Sequence, residues 1–298
     1  MLYKTTLIVS FFFLVSKTLI GQDFETKFRD LYSANDTNAQ AVLLKEWELA
    51  KPKDPELFIA YFNHYVNLSR REIVTMDSFS KSRNAFAITD SVTGKTVGFM
   101  NSSIQYVPAI LQKGFDKINQ GIALHPLRLD MRFGKIYMLG QSENYPEFTK
   151  IILQTIEYGN TIKSAWLWKE DKPLDDAVNF FLKSMQDYNY TIYDTEDDNL
   201  LPYMRQISEA VLKYHPNHLE SLANIAMTYL IIGDNDKALP YLLKAEKINP
   251  KDMVILNNLA EAYKRKNDKV KAKVYYEKMI QYGKPDEVEY AKEKLKAL

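Results

Sequence analysis

Two stretches of the chain, Leu219–Pro250 and Met253–Tyr282, superimpose on each other with a shift of 34 residues. Leu222 maps to Leu256, Asn224 to Asn258, Ile225 to Leu259, Ala226 to Ala260, Tyr229 to Tyr263, Asp234 to Asp268, Ala238 to Ala272, Tyr241 to Tyr275 and Lys244 to Lys278. A period of this length specifies a helix-turn-helix unit that cannot bury its apolar face alone and therefore stacks on copies of itself. The expected fold class is all-α, a stack of helical hairpins.

N-terminal to Pro216 the same logic holds less regularly. Val42, Leu43 and Trp47 share one helical face, and Leu57, Ala60, Tyr61, Tyr65 and Leu68 share another, with Lys51-Pro52-Lys53-Asp54-Pro55 between them. Asp54 is placed to N-cap the second helix and Pro55 to sit at its first position, where a missing N–H costs nothing. Residues 85–100 depart from the helical period. Phe86 and Ile88, then Val97 and Phe99, alternate with small or polar residues around Asp90-Ser91-Val92-Thr93-Gly94-Lys95, which predicts a β-hairpin with Gly94 at positive φ. Helix resumes from Gly114, and further helices are expected over 146–157, 174–185 and 201–214. The Lys-rich segment Glu287–Leu298 reads as the solvating cap such a stack needs.

The N-terminus reads as an export signal. Lys4 precedes an apolar run from Leu7 to Val15, broken only by Ser10, and a polar stretch ends at Gly21, the expected cleavage point. The run is too short for a membrane span, which takes roughly 20 apolar residues. Removing residues 1–21 leaves 37 basic against 38 acidic residues, so neither nucleic acid nor an anionic membrane is favoured as a partner. The absence of cysteine excludes disulfides, thiolate metal sites and a lipidated cysteine. An exported, periplasmic or secreted protein without a transmembrane segment in its mature form is expected. The organisation is then a signal peptide over 1–21, a divergent helical region over 22–215 carrying the hairpin, and regular repeats with a capping helix over 216–298.

With Leu222, Ile225, Ala226, Tyr229, Ala238, Leu242, Ala245 and Pro250 in view, and Gly233-Asp234 at the turn, the chain resembles exported bacterial tetratricopeptide repeat proteins. The resemblance is specific over the C-terminal part and weaker before it. Ala226 and Ala238 are small where two helices cross, and Tyr229 and Leu242 are expected to fill the volume beside them. In the second copy Met279 replaces the small Ala245 and the closing proline moves to Pro285. The family implies a concave surface that binds protein or peptide, lined by the first helix of each repeat. On that register the groove-facing residues are Ala223, Met227, Leu230 and Ile231 in one repeat and Asn257, Glu261, Lys264 and Arg265 in the next. Ala223 and Met227 stand where chaperone-binding relatives place carboxylate-clamping side chains, so a C-terminal dicarboxylate is disfavoured and an apolar segment followed by mixed charge suits better.

Other motifs resolve to structure. Gly94-Lys95-Thr96 ends like a phosphate loop but lacks the earlier glycine, Thr89 standing in its place, and a strand follows instead of a helix. His215 and His218 supply two imidazoles where a zinc site wants three or four ligands. Asp194–Asn199 starts like a calcium loop, yet Asn199 stands at the glycine position and Arg205 at that of the bidentate glutamate. No nucleophile elbow, zinc-protease helix or Ser-x-x-Lys set is present. No enzyme, no cofactor and no metal are expected. The rival reading is a glycan or small-molecule capture protein using Trp166 and Trp168, which would share one face of an extended segment.

Overall fold

The computed structural model describes residues 16–79 and 85–298, and among these it forms thirteen α-helices and one three-stranded sheet. Most of the predicted signal segment lies outside the described residues. Two compact units are present, one ending at Met131 and the other running Arg132–Leu298.

The first unit holds α1 (Ser16–Ser33), α2 (Thr37–Ala50), α3 (Pro55–Ser69) and α4 (Pro108–Leu124). Gln40, Leu43, Leu44 and Trp47 make the buried stripe of α2, spaced as one helical face requires. Val42, expected on that face, is exposed; Leu44 takes the inward position instead. Asp54 serves two ends at once: Oδ1 accepts from the Glu56 N–H at 3.1 Å and so caps α3, while Oδ2 accepts from Trp47 Nε1 at 3.0 Å. Phe24 stacks on the buried Trp47 ring, with centroids 5.6 Å apart and planes within 9°. The α3–α4 crossing is close because position 121 is glycine, where an added Cβ would fall 2.7 Å from Phe58 Cβ. Arg128, only 1% exposed, bridges Glu56 (2.8 Å) and Asp130 (2.7 Å) and ties the start of α3 to the segment after α4.

Between α3 and α4 the chain forms β1 (Arg70–Asp77), β2 (Phe86–Thr89) and β3 (Thr96–Tyr106), antiparallel in the order β1-β3-β2. The expected hairpin is β2–β3. Its loop is tied by Asp90 Oδ1, which accepts from the Thr93 N–H at 2.6 Å and the Val92 N–H at 3.1 Å, and Gly94 has φ +67°. Thr96 opens β3, so no helix N-terminus follows Gly94-Lys95-Thr96. β1 was not anticipated, and β3 extends beyond the expected hairpin to Tyr106. Both grow directly out of helices, and the Val107 N–H donates to Ser69 O at 2.8 Å where the two helices give way to strands.

The second unit takes in α5 (Leu129–Gln141) beyond its first turn, then α6 (Tyr145–Thr161), α7 (Ala177–Tyr193), α8 (Leu201–Tyr214), α9 (Leu219–Ile231), α10 (Asn235–Ile248), α11 (Met253–Arg265), α12 (Lys269–Tyr282) and α13 (Pro285–Lys296). From α7 onward each helix packs on the next. The sequence period becomes a repeated set of contacts. Asp234 caps α10 by accepting from the Lys237 N–H, and Asp268 caps α12 by accepting from the Lys271 N–H, both at 3.1 Å. Tyr229 stacks on Tyr241 and Tyr263 on Tyr275, with centroids 6.3 and 5.7 Å apart. Ala226, Ala238, Ala260 and Ala272 are fully buried at the crossings. Tyr229 is half-buried, so it flanks the crossing and does not fill it. Met279 is buried, closing the second repeat in one core with Ala291 of α13.

Candidate partner-binding surface

The first helices of the two regular repeats, α9 and α11, present the residues singled out from sequence, and the structure sorts them into three groups. Leu230 leaves the set: it is 8% exposed and belongs to the core with Leu222, Ala226, Ala238 and Leu239. Its position near the end of α9 turns it toward α10, which the register argument did not capture. Glu261 and Arg265 are committed within the fold. Glu261 Oε1 accepts from Tyr276 Oη at 2.6 Å and lies 3.9 Å from Lys294 Nζ on α13. Arg265 donates from Nη1 to the carbonyl of Leu230 at 2.7 Å, a second donor beside the Gly233 N–H at 3.1 Å.

Ala223, Met227, Asn257 and Lys264 are half-buried and Ile231 is exposed. Asn257 Oδ1 is shielded from solvent and finds no hydrogen-bond partner among the described residues. Toward the preceding repeat, Asn224 on α9 and Gln186 on α7 exchange carboxamide hydrogen bonds of 2.6 and 3.4 Å, so that stretch is already self-satisfied.

The Trp166–Trp168 pair does not offer a stacking platform. Trp166 is 1% exposed, stacked on Phe181 with centroids 6.1 Å apart, and its ring lies against Gly159, where an added Cβ would meet Cζ2 at 3.1 Å. Trp168 packs edge-on against Phe180 and Phe133 at 5.4 and 6.2 Å. These contacts close the junction between α5 and α7.

His218 is the N-cap of α9: Nδ1 accepts from the Ser221 N–H at 3.4 Å and pairs with Ser221 Oγ at 2.9 Å, while Nε2 faces Glu220 at 3.2 Å. Burial holds its pKa below the ordinary histidine value, and the Glu220 carboxylate opposes that shift in part. Asp197 caps a short 3₁₀ turn by accepting from the Asn199 N–H at 2.9 Å, which gives the acidic segment an ordinary turn role.

The first unit carries a cleft of ≈ 170 Å³ that sequence reasoning missed. Phe28, Arg29 and Tyr32 on α1 and Glu56 and Asn63 on α3 line it, over Trp47. The lining residues of each helix recur at one-turn spacing, the signal from which the cleft could have been found.

The sequence profile of the tetratricopeptide repeat matches residues 219–252 and 255–282. These are tetratricopeptide repeats. The matched residues are α9 to α12, the pairs whose capping and tyrosine stacking repeat. A curated relative, the CTR9 homolog of Arabidopsis thaliana, is 21% identical over 174 residues, covering 51% of this chain and 16% of that protein. The chain thus spans only a small part of the relative's length. Among solved structures, PilW, described as a widely conserved type IV pilus biogenesis factor, aligns over 91% of this chain and 97% of its own at 10% identity and a TM-score of 0.36. PilF of Pseudomonas aeruginosa aligns over 58% of this chain and 69% of its own at 14% identity and a TM-score of 0.33. The Cut9–Hcn1 hetero-tetramer of the APC/C aligns over 90% and 48% at 10% identity and a TM-score of 0.32. Repeats of this type stack into surfaces used for protein interaction. No helix of the described residues is long and apolar enough to cross a membrane.

Proposed function

We propose that this chain is a non-enzymatic scaffold that binds a protein or peptide segment on the surface formed by α9 and α11, and that it works outside the cytoplasm. The observation that carries the reading is that α9 and α11, the first helices of the two matched repeats, leave Met227, Asn257 and Lys264 part-exposed and Ile231 exposed. Met227 and Ile231 give an apolar half for affinity, and Lys264 a charged half for register. The ligand class that fits is an apolar segment followed by mixed charge.

Export rests on the sequence pattern of Lys4, Leu7–Val15 and Gly21. Among the described side chains, those of α1 that pack in the first core, Phe24 and Phe28, lie beyond that point, and α1 itself begins before it at Ser16. Intact mass of the native protein is expected to begin at Gln22, and a full-length chain in the cytosol contradicts it.

Site-specific photo-crosslinking in the native compartment tests the surface. A crosslinker at Ile231 is expected to capture a partner, and one at the exposed Val270 of α12 is not. Equal capture from both positions contradicts the placement.

A further inference from the structure

The sheet between α3 and α4 is an arm whose strand β1 has an outer edge paired with nothing among the described residues. Its two edges differ. β2 is four residues long and its ladder is interrupted by a register shift at Ile88/Thr89, two features that blunt an edge. β1 is eight residues long, pairs with β3 without a shift from Arg70 to Asp77, and contains neither proline nor lysine. Its centre, Ile73-Val74-Thr75-Met76, is uncharged and exposed. Such an edge is a template for another strand.

The direction of its backbone groups can be read from the junction with the helices. The Val107 N–H donates to Ser69 O, so Ser69 and Val107 are a hydrogen-bonded pair. Alternation along an antiparallel ladder then turns the amides of Arg71, Ile73, Thr75 and Asp77 toward β3 and those of Glu72, Val74 and Met76 outward. The Arg70 N–H, accordingly, bonds back to Asn67 O and not to Tyr106.

We propose that β1 is a self-association edge: two copies of the chain pair β1 to β1, antiparallel, with Val74 opposite Val74 and Arg71 opposite Asp77 of the second copy. Charge selects this register. An antiparallel two-fold pair must centre on one residue, and centring on Val74 sets Arg71 against Asp77 twice, with Glu72 opposite the uncharged Met76 and no like charges facing. Centring on Ile73 or on Thr75 pairs no opposite charges. The hydrogen-bonded pairs across the new ladder are Val74 with Val74 and Glu72 with Met76, the residues whose amides point outward. Among its contacts Asp77 accepts from Thr75 Oγ1 at 2.8 Å and from Asn101 Nδ2 at 3.1 Å, which hold the carboxylate in place at the end of β1. Arg71 spends Nη1 on the carbonyls of Leu68 and Arg70, at 3.0 and 2.7 Å, one nitrogen of a five-donor fork. The pairing makes one six-stranded sheet from two three-stranded ones, and three strands alone are close to the minimum that stands by itself.

Sedimentation velocity of the native chain over a concentration series reads the association. The wild type is expected to form a dimer. Val74→Pro removes an outward N–H while leaving the β3 ladder its donors, and is expected to weaken the dimer by at least about tenfold. Arg71→Asp and Asp77→Arg are each expected to weaken it comparably, since each sets like charges opposite each other. Mixing these two single variants is expected to restore association as a heterodimer, because every facing pair is then opposite in sign, and the double variant is expected to associate with itself. The mixture decides even if Asp77→Arg loosens its own arm. A wild type that remains monomeric at all concentrations, a Val74→Pro dimer of unchanged affinity, or a mixture that gives no heterodimer overturns the proposal.

Discussion

Arg265, at the end of α11, holds the carbonyl of Leu230, near the end of α9, through a 2.7 Å hydrogen bond from Nη1. A side chain from one tetratricopeptide repeat thereby links the ends of the first helices of both repeats, joining the Gly233 N–H that accompanies it on the same carbonyl at 3.1 Å. Arg265→Met is expected to destabilise the second unit by about 1 kcal/mol, the net value of one such bond, and to leave partner capture unchanged. Urea denaturation measures the first and a pull-down the second.

Arg128 and its two carboxylates form a largely buried charged cluster in the first unit. Arg128→Met leaves Glu56 and Asp130 facing each other without their shared cation, and is expected to cost about 3–5 kcal/mol. Adding Glu56→Gln and Asp130→Asn is expected to recover a large part of that loss. Thermal unfolding of the single and triple variants makes the comparison.

The repeated tyrosines are not equivalent. Tyr263 is 7% exposed whereas Tyr229 is half-buried, so Tyr263→Ala is expected to cost about 3–5 kcal/mol and Tyr229→Ala distinctly less. Ala238→Leu, at a fully buried helix crossing, is expected to cost about 1–3 kcal/mol through overpacking. Denaturation midpoints of the three variants should fall in that order of magnitude.

Acid should weaken both units through histidine. Burial lowers the pKa of His64, which pairs with Gln40 Oε1 at 2.9 Å, and of His218, which caps α9. A folded-state pKa below the unfolded one means the unfolded chain binds more protons between the two values. The stability held by the neutral rings is therefore complete above the unfolded histidine pKa of about 6.5, and declines as pH falls through the lower folded values. His218→Asn keeps a capping side chain without the titration, and a stability–pH curve for it is expected to lose part of its slope below about pH 6.5.

The repeat period was legible because burial and spacing coincide: the positions that recur in sequence, Ala226 with Ala260 and Ala238 with Ala272, are those where helices cross. Asp54 and Pro55 marked a helix start by local chemistry alone, and α3 begins there. β1 was illegible for the opposite reason. Its side chains are exposed on both faces over nearly its whole length, so no alternation of apolar and polar residues distinguishes Arg70–Asp77 from the end of the helix before it. The candidate surface was half legible. Register placed Ala223, Met227 and Asn257 on α9 and α11, but the burial of Leu230 and the bond made by Arg265 are tertiary facts that helix spacing does not carry.

The affinity of a captured partner segment for the chain with Met227→Ala, Asn257→Ala and Lys264→Glu combined tests the central claim most directly. Isothermal titration is expected to show affinity lowered by at least about tenfold, with the variant still folding cooperatively, because none of the three side chains is fully buried. A folded triple variant that binds the segment as tightly as the wild type contradicts the assignment of the surface formed by α9 and α11.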